Sequence, residues 1–233
     1  MACAASKGWG LGCTRAVASE GVKVVIVARG RDVLEQADDA LHALPGAGEV
    51  RSAVADIVTP QGRTDALAAC PQVDIPINNT GGPPPGDFRQ WERENWLRAL
   101  DANMLAPIEL IRVSLDAMRA QRFGCIVNIT SRCGEGADRH PRPVQWRARR
   151  PHRLRCRAGT QRSRRQCHDQ PGQFATDRLR GNFAAIAQQQ SSTAQDVAER
   201  KRAGIPARRF GEPDEFGAAC VFLCSAQAAY ITG

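Results

Sequence analysis

The chain has 233 residues, of which 42% are hydrophobic and 24% charged, and its formal net charge is +8. That length suits one sizeable α/β domain or two small ones, and no apolar run approaches the ~18 residues that a membrane span requires. The basic balance is local: from Arg132 to Gln170 there are twelve arginines, no lysine and three carboxylates (Glu135, Asp138, Asp169), so that window stands at +9 and the rest of the chain at −1.

Nine cysteines are scattered without paired metal spacing, and nothing at the start resembles a signal peptide. The expectation is a soluble, cytoplasmic protein with reduced thiols, no bound metal and no membrane partner.

In chain order, a stub of a first strand leads into the glycine-rich turn "ACAASKGWGLG", then the helical pattern "CTRAVASEG" and "VKVVIVAR", a buried-strand signal. "RDVLEQADDALHAL" reads as a helix and "EVRSAVAD" as a strand ending at Asp56. Helix "QGRTDALAAC", strand "VDIPIN" and the loop "NTGGPPPGDF" follow. One helical stretch, "WLRALDANMLAPIELIRVSLDAMRAQ", runs into the strand "GCIVNITS". Beyond the basic window, "DEFGAACVFLCSAQAAY" is an amphipathic helix, and the chain stops at "ITG". Strands alternating with helices predict an α/β fold, a doubly wound parallel sheet with helices on both faces in one domain over 1–233, because parallel strands need crossover helices.

The turn Ser6-Lys7-Gly8-Trp9-Gly10 lies where a dinucleotide-binding turn belongs. Glycines there let the backbone approach a pyrophosphate, and the helix start supplies N–H donors. With it stand "AD" at Asp56, "NNTGG" from Asn78, "LDANM" at Asn103, "IVNITS" ending at Ser131, Pro171-Gly172 with Thr176, and "IPARRFGEPDEF" through "YITG". Together these resemble the short-chain dehydrogenase/reductase family, in the branch related to 3-oxoacyl carrier-protein reductases, over residues 1–131 and 170–233.

The resemblance implies a Rossmann fold and reversible hydride transfer between a nicotinamide cofactor and a carbonyl or secondary alcohol, usually in a homo-oligomer. It implies Gly8 and Gly10 under the pyrophosphate, Asp56 at the adenine, Asn78 and Gly81 on the adenosine side, and Thr176 at the nicotinamide amide. Asn103 would support a proton-relay water, and Ser131 would hydrogen-bond the substrate carbonyl. An NAD site places a carboxylate at the end of the second strand. Here Arg29 stands there and Lys7 precedes the glycine, which favours NADP(H) over NAD(H).

The departures matter as much. Ala4 replaces the family's first glycine and Thr80 the usual alanine, both small enough to fit. The first strand is short, and the family's last strand, after "ITG", is missing. The family's tyrosine, thirteen residues after the serine, falls on Val144, and its lysine, four further on, falls on Ala148; the only tyrosine is Tyr230.

From Cys133 to Gln170 the only aliphatic residues beyond alanine are Val144 and Leu154, so no stripe exists to bury. Three readings compete: a nucleic-acid-binding insertion, a disordered segment, or a stretch translated out of frame. A one-nucleotide shift allows a Gly/Ala-rich amphipathic helix, and for "QCHDQ" it allows Asn or Ser, Val or Ala, Met or Thr, Ile or Thr, then Asn, Lys, Ser or Arg, a set that includes "SVTIN", the strand the family places before Pro171. In that frame position 144 can be Tyr, Ser, Phe or Cys, while position 148 can never be Lys. The out-of-frame reading is the expected one, with a small-molecule substrate and no nucleic-acid partner. A catalytically silent NADP(H)-binding homologue stays open beside the active enzyme.

Among the remaining candidates, three of the four histidines fall in the window. Cys220 and Cys224, four apart, are read as core packing, and Trp91 and Trp96 as helix-face packing. Phe88 in the proline loop either flanks substrate or packs the loop down.

Overall fold

The computed structural model describes residues 1–81 and 91–130, the backbone of 165–168, and then 183–184, 186–188, 190–205 and 207–229. The second strand carries the architecture. Its residues "VVIVA" are all buried, as a parallel strand covered on both faces requires.

Six strands, β1 (Ala2–Cys3), β2 (Val24–Ala28), β3 (Val50–Val54), β4 (Ile77–Asn78), β5 (Val127–Thr130) and β6 (Arg165–His168), form one parallel sheet in the order β3-β2-β1-β4-β5-β6. The helices are α1 (Gly8–Ser19), α2 (Arg31–His42), α3 (Pro60–Ala69), α4 (Arg93–Leu100), α5 (Ala106–Ala120), α6 (Ala194–Ala203) and α7 (Pro213–Cys224). Alternate residues of β2 serve opposite faces. Ile26 packs with Cys13 and Val17 of α1, Leu34 of α2, and Phe216 and Cys220 of α7. Val25 and Val27 pack with Ala66 of α3 and with Leu110, Ile111 and Met118 of α5. This is the doubly wound α/β sheet that the sequence pattern predicts.

Four elements differ from expectation. Helix α1 begins at Gly8, five residues before the predicted helical pattern, and so takes glycines into its body against their propensity. The reason is steric. A Cβ on Gly12 would run into the backbone of Pro213 at the start of α7, and one on Gly217 would strike the Gly12 carbonyl.

The predicted long helix is broken by a π turn at Asp101–Leu105. Pro107 accounts for it locally, since it has no N–H to give the Asn103 carbonyl its i→i+4 bond. Helix α6 was not predicted at all. It buries only Val197, so it has no apolar stripe; a capping box between Thr193 and Asp196 starts it.

Finally, β6 lies inside the basic window, with Val127 opposite Arg165 and Thr130 opposite His168. It overlaps the "QCHDQ" stretch that the shifted frame reads as a strand. As expected, Cys220 is buried on α7 and Cys224 packs against the same cluster. Trp91 and Trp96 pair with ring centroids 5.0 Å apart. Phe88, Tyr230 and the "ITG" that follows it lie outside the described residues.

The start of α7 makes a pH prediction. Arg209 donates to both Glu215 oxygens, Nη2 to Oε1 at 2.6 Å and Nη1 to Oε2 at 2.7 Å. These bonds, followed by the bond from the Glu212 N–H, pull the Glu215 carboxyl from 4.5 down to about 2. A depressed folded-state value means that the stabilisation is complete above the unfolded value and is lost as pH falls through the folded one. Glu215→Gln should therefore lower the melting temperature at pH 7. Its gap to the parent protein should stay constant down to about pH 4.5 and close toward pH 2 in calorimetry.

Candidate cofactor cleft

The strand order reverses between β1 and β4, and at such a reversal the helices diverge to opposite faces and open a crevice at the carboxyl ends of the strands. Two turns meet there, the one after β1 and the one after β4.

In the first, Ala4 and Gly8 both take left-handed backbone, at φ +48 and +58. For an L-residue that region costs roughly 1–2 kcal/mol. The alanine at the family's glycine position thus fits in space but carries backbone strain, which its size alone does not reveal.

Gly10 lies so close to the turn that a Cβ would overlap the Ala4 carbonyl and press on Asn79 Nδ2. Asn79 Nδ2 donates to that same carbonyl at 3.4 Å, from the second turn. Helix α1 opens from Lys7, an extended N-cap that makes no side-chain cap, and no acidic residue stands in its first turn. Its leading N–H groups and positive dipole end are left for an anion at the crevice. Lys7 is exposed beside them, and Ser6 is half-buried.

Arg29 and Asp56 form the far end of the cleft. The guanidinium, 76% exposed, stands 3.9 Å from Asp56 Oδ2, an exposed pairing of little stabilising value. Asp56 Oδ1 accepts from the Val58 N–H at 3.1 Å. Both residues line a recess of about 350 Å³ with Thr59 and Gly62. Thr59 fixes this corner by accepting from Gly62 N at 3.0 Å, which caps α3, and by donating to the Asp56 carbonyl at 2.9 Å. A Cβ on Gly62 would overlap the Asp56 backbone.

Asn78 is placed otherwise than its expected role suggests. It is 3% exposed, and its Nδ2 donates to Asn128 Oδ1 on β5 at 2.9 Å. Among the described residues its Oδ1 has no partner. The side chain is committed within the sheet, and it is Asn79 that reaches the crevice. Gly81 is exposed at the rim.

Asn103 sits in the π turn. Its Oδ1 accepts from Thr80 Oγ1 at 3.0 Å and its Nδ2 donates to the Ala99 carbonyl at 2.9 Å. Ser131, Thr176, Val144 and Ala148 lie outside the described residues. Sequence reasoning missed Asn79, Thr59, Gly62 and Asn128 as parts of this arrangement. For Thr59 the signal was present, a threonine followed by Pro60 at the helix start.

A crevice at a strand-order reversal, with a glycine turn feeding an uncapped helix start, defines a dinucleotide-binding α/β protein. The sequence profile of short chain dehydrogenases matches residues 2–140, and that of Enoyl-(Acyl carrier protein) reductases matches 181–233. The chain belongs to the short-chain dehydrogenase family of oxidoreductases. It is 27% identical over 237 residues to the NADPH-dependent reductase BacG of Bacillus subtilis, covering 98% of this chain and 91% of that protein.

Among solved structures, the L-sorbose reductase of Gluconobacter frateurii complexed with NADPH and L-sorbose superposes with a TM-score of 0.77 at 21% identity, over 98% of this chain and 90% of that one. An NAD+-bound xylitol dehydrogenase does so at 0.79 and 19%, over 99% and 93%. Among the described residues no helix is long and apolar enough to cross a membrane.

The strained turn is testable. Ala4→Gly relieves the left-handed alanine and should stabilise by about 0.5–1 kcal/mol after the extra chain entropy of glycine. That should raise the melting temperature by roughly 1–4 °C in a thermal scan.

Proposed function

We propose that this chain binds NADP(H) in preference to NAD(H) and belongs to a hydride-transfer reaction on a small carbonyl or secondary alcohol of 3-oxoacyl type. The observation that carries the reading is Arg29. It stands just past the end of β2, exposed and facing a 350 Å³ recess, where an NAD site would carry a carboxylate. A guanidinium there suits the bidentate recognition of a 2′-phosphate. The turn supports the same reading, because Gly8, Gly10 and the uncapped start of α1 leave backbone donors close to where a pyrophosphate would lie.

In this proposal the nicotinamide, when bound, supplies or accepts the hydride. Ser131 donates its hydroxyl to the substrate oxygen and polarises the carbonyl. Asn103 orients the water through which the proton reaches the substrate oxygen in reduction and leaves it in oxidation, Asp56 accepts from the adenine amine, and Thr176 holds the nicotinamide amide. Lys7 adds positive charge beside the phosphates.

One observation favours a second reading, an NADP(H)-binding protein without turnover. Val144 and Ala148 occupy the places of the family's tyrosine and lysine, and neither side chain can give or take a proton. The two matched profiles leave 141–180 between them, a gap that takes in 141–170 of the stretch 133–170 proposed to be out of frame. Resequencing the DNA across codons 130–172 tests that directly, and two compensating indels relative to a clean copy are expected.

Titration by NADPH fluorescence tests the cofactor claim. Arg29→Ala should weaken NADPH binding by about 10- to 100-fold, the worth of hydrogen bonds to a charged group, and leave NADH binding unchanged. Equal losses for both cofactors would sink the preference. Steady NADPH consumption with a 3-oxoacyl thioester would establish the enzyme, and tight binding without consumption would establish the silent homologue.

A further inference from the structure

We infer that Thr80 is a positioning residue, whose hydroxyl holds the Asn103 carboxamide and so couples the turn after β4 to the π turn between α4 and α5. The inference rests on the reading that the crevice takes NADP(H), and it deepens that reading at one site.

Three observations converge. The Thr80 hydroxyl donates to Asn103 Oδ1 at 3.0 Å, across 23 residues of sequence. The other end of the same carboxamide is held by the Ala99 carbonyl at 2.9 Å. With one donor and one acceptor both engaged, the side chain has a single orientation that satisfies it. Pro107 withholds the N–H that an α-helix would direct to the Asn103 carbonyl, and Ala106 N–H reaches back to the Asp101 carbonyl in the π pattern. The direction of the Asn103 backbone therefore depends on its side chain more than it would within a regular helix.

Thr80 is well placed to pass on the state of the crevice. It follows Asn79, whose amide donates to the Ala4 carbonyl beside Gly10, and it precedes the exposed Gly81 at the rim. A ligand that presses on or orders the Ala4–Gly10 turn acts on Asn79, and hence on the backbone that carries the Thr80 hydroxyl. An alanine at position 80, the residue the family resemblance leads one to expect, lacks the hydroxyl and cannot make this link. The coupling is therefore a property of this chain's own departure from the family pattern.

The test uses the full-length protein and hydrogen–deuterium exchange of the 101–108 amides, with and without saturating NADPH, in the parent protein, Thr80→Val and Thr80→Ser. Valine keeps the shape and loses the hydroxyl; serine keeps the hydroxyl and loses the methyl. Thr80→Val should speed exchange in this segment about five-fold without ligand, the worth of one ordinary hydrogen bond, and should abolish the further protection that NADPH brings. Thr80→Ser should match the parent protein in both.

If valine matches the parent and serine does not, the side chain acts by packing and the inference is overturned. The same holds if all three proteins respond to NADPH alike, or if the parent binds NADPH by fluorescence with no change at 101–108. If NADPH fails to bind the parent at all, the cofactor reading and the coupling fall together. In that case the ligand-free comparison still decides whether the hydroxyl holds Asn103.

Discussion

Helix α1 lies closer to its neighbours than side chains permit, and the rest of the cleft depends on that contact. Gly10 rides against the Ala4 carbonyl, Gly12 against Pro213, and Gly217 of α7 against the Gly12 carbonyl. Three missing Cβ atoms thus seat α1 between the turn it follows and the last long helix of the described chain. Backbone packed at this range has little freedom to tilt, so the direction of the first N–H groups is set by sterics, with no side-chain cap to hold it. Trp9, stacked on Phe216 with centroids 5.5 Å apart, braces the same junction from the side.

The end of β4 ties this rigid element to its surroundings through three consecutive polar side chains. Asn78 reaches inward to Asn128 on β5, Asn79 to the carbonyl of Ala4 after β1, and Thr80 to Asn103 in the π turn. Each bond runs to a different element, so one short segment sets the spacing of the crevice walls. Alternation along a strand explains why neighbours diverge, and the loss of strand geometry after Asn78 frees the third to turn outward. The buried Asn78 Oδ1 has no partner among the described residues, while its Nδ2 donates to Asn128. A polar group half-satisfied at depth is costly, which gives Asn128 opposite it a definite structural role.

What could be read from sequence follows from where the forces are local. The strand β2 announces itself in five buried β-branched and alanine residues, and α2 in its spaced leucines. Helix α6 was invisible because one buried valine gives no periodicity, and its capping box was overlooked. The early start of α1 and the burial of Asn78 were not readable, since both follow from contacts with segments tens or hundreds of residues away. The π turn stood between: "DANMLAP" contains the proline that forces it, but the apolar period runs on through it. At the site, the glycine turn, Arg29 and Asp56 were legible as types at fixed distances from strand ends. The strain at Ala4 was not, because it lives in a backbone angle rather than in composition.

Charge illustrates the same division between local and global quantities. The net +8 of the chain would suggest a phosphate-binding surface, yet the residues from Arg132 to Gln170 alone stand at +9 and the rest at −1. The cations that matter to a dinucleotide in the proposed cleft are Lys7 and Arg29, both placed by strand ends and turns. At physiological salt a charge beyond ~8 Å from its partner is largely screened, so the net charge of a chain says little about the charge at one corner. Arg29 in turn is paired at 3.9 Å with Asp56, and Asp65 lines the same recess, so a ligand must compete with carboxylates for the guanidinium. Selectivity in such a corner comes from the geometry of one pair of side chains, and the chain's total charge does not measure it.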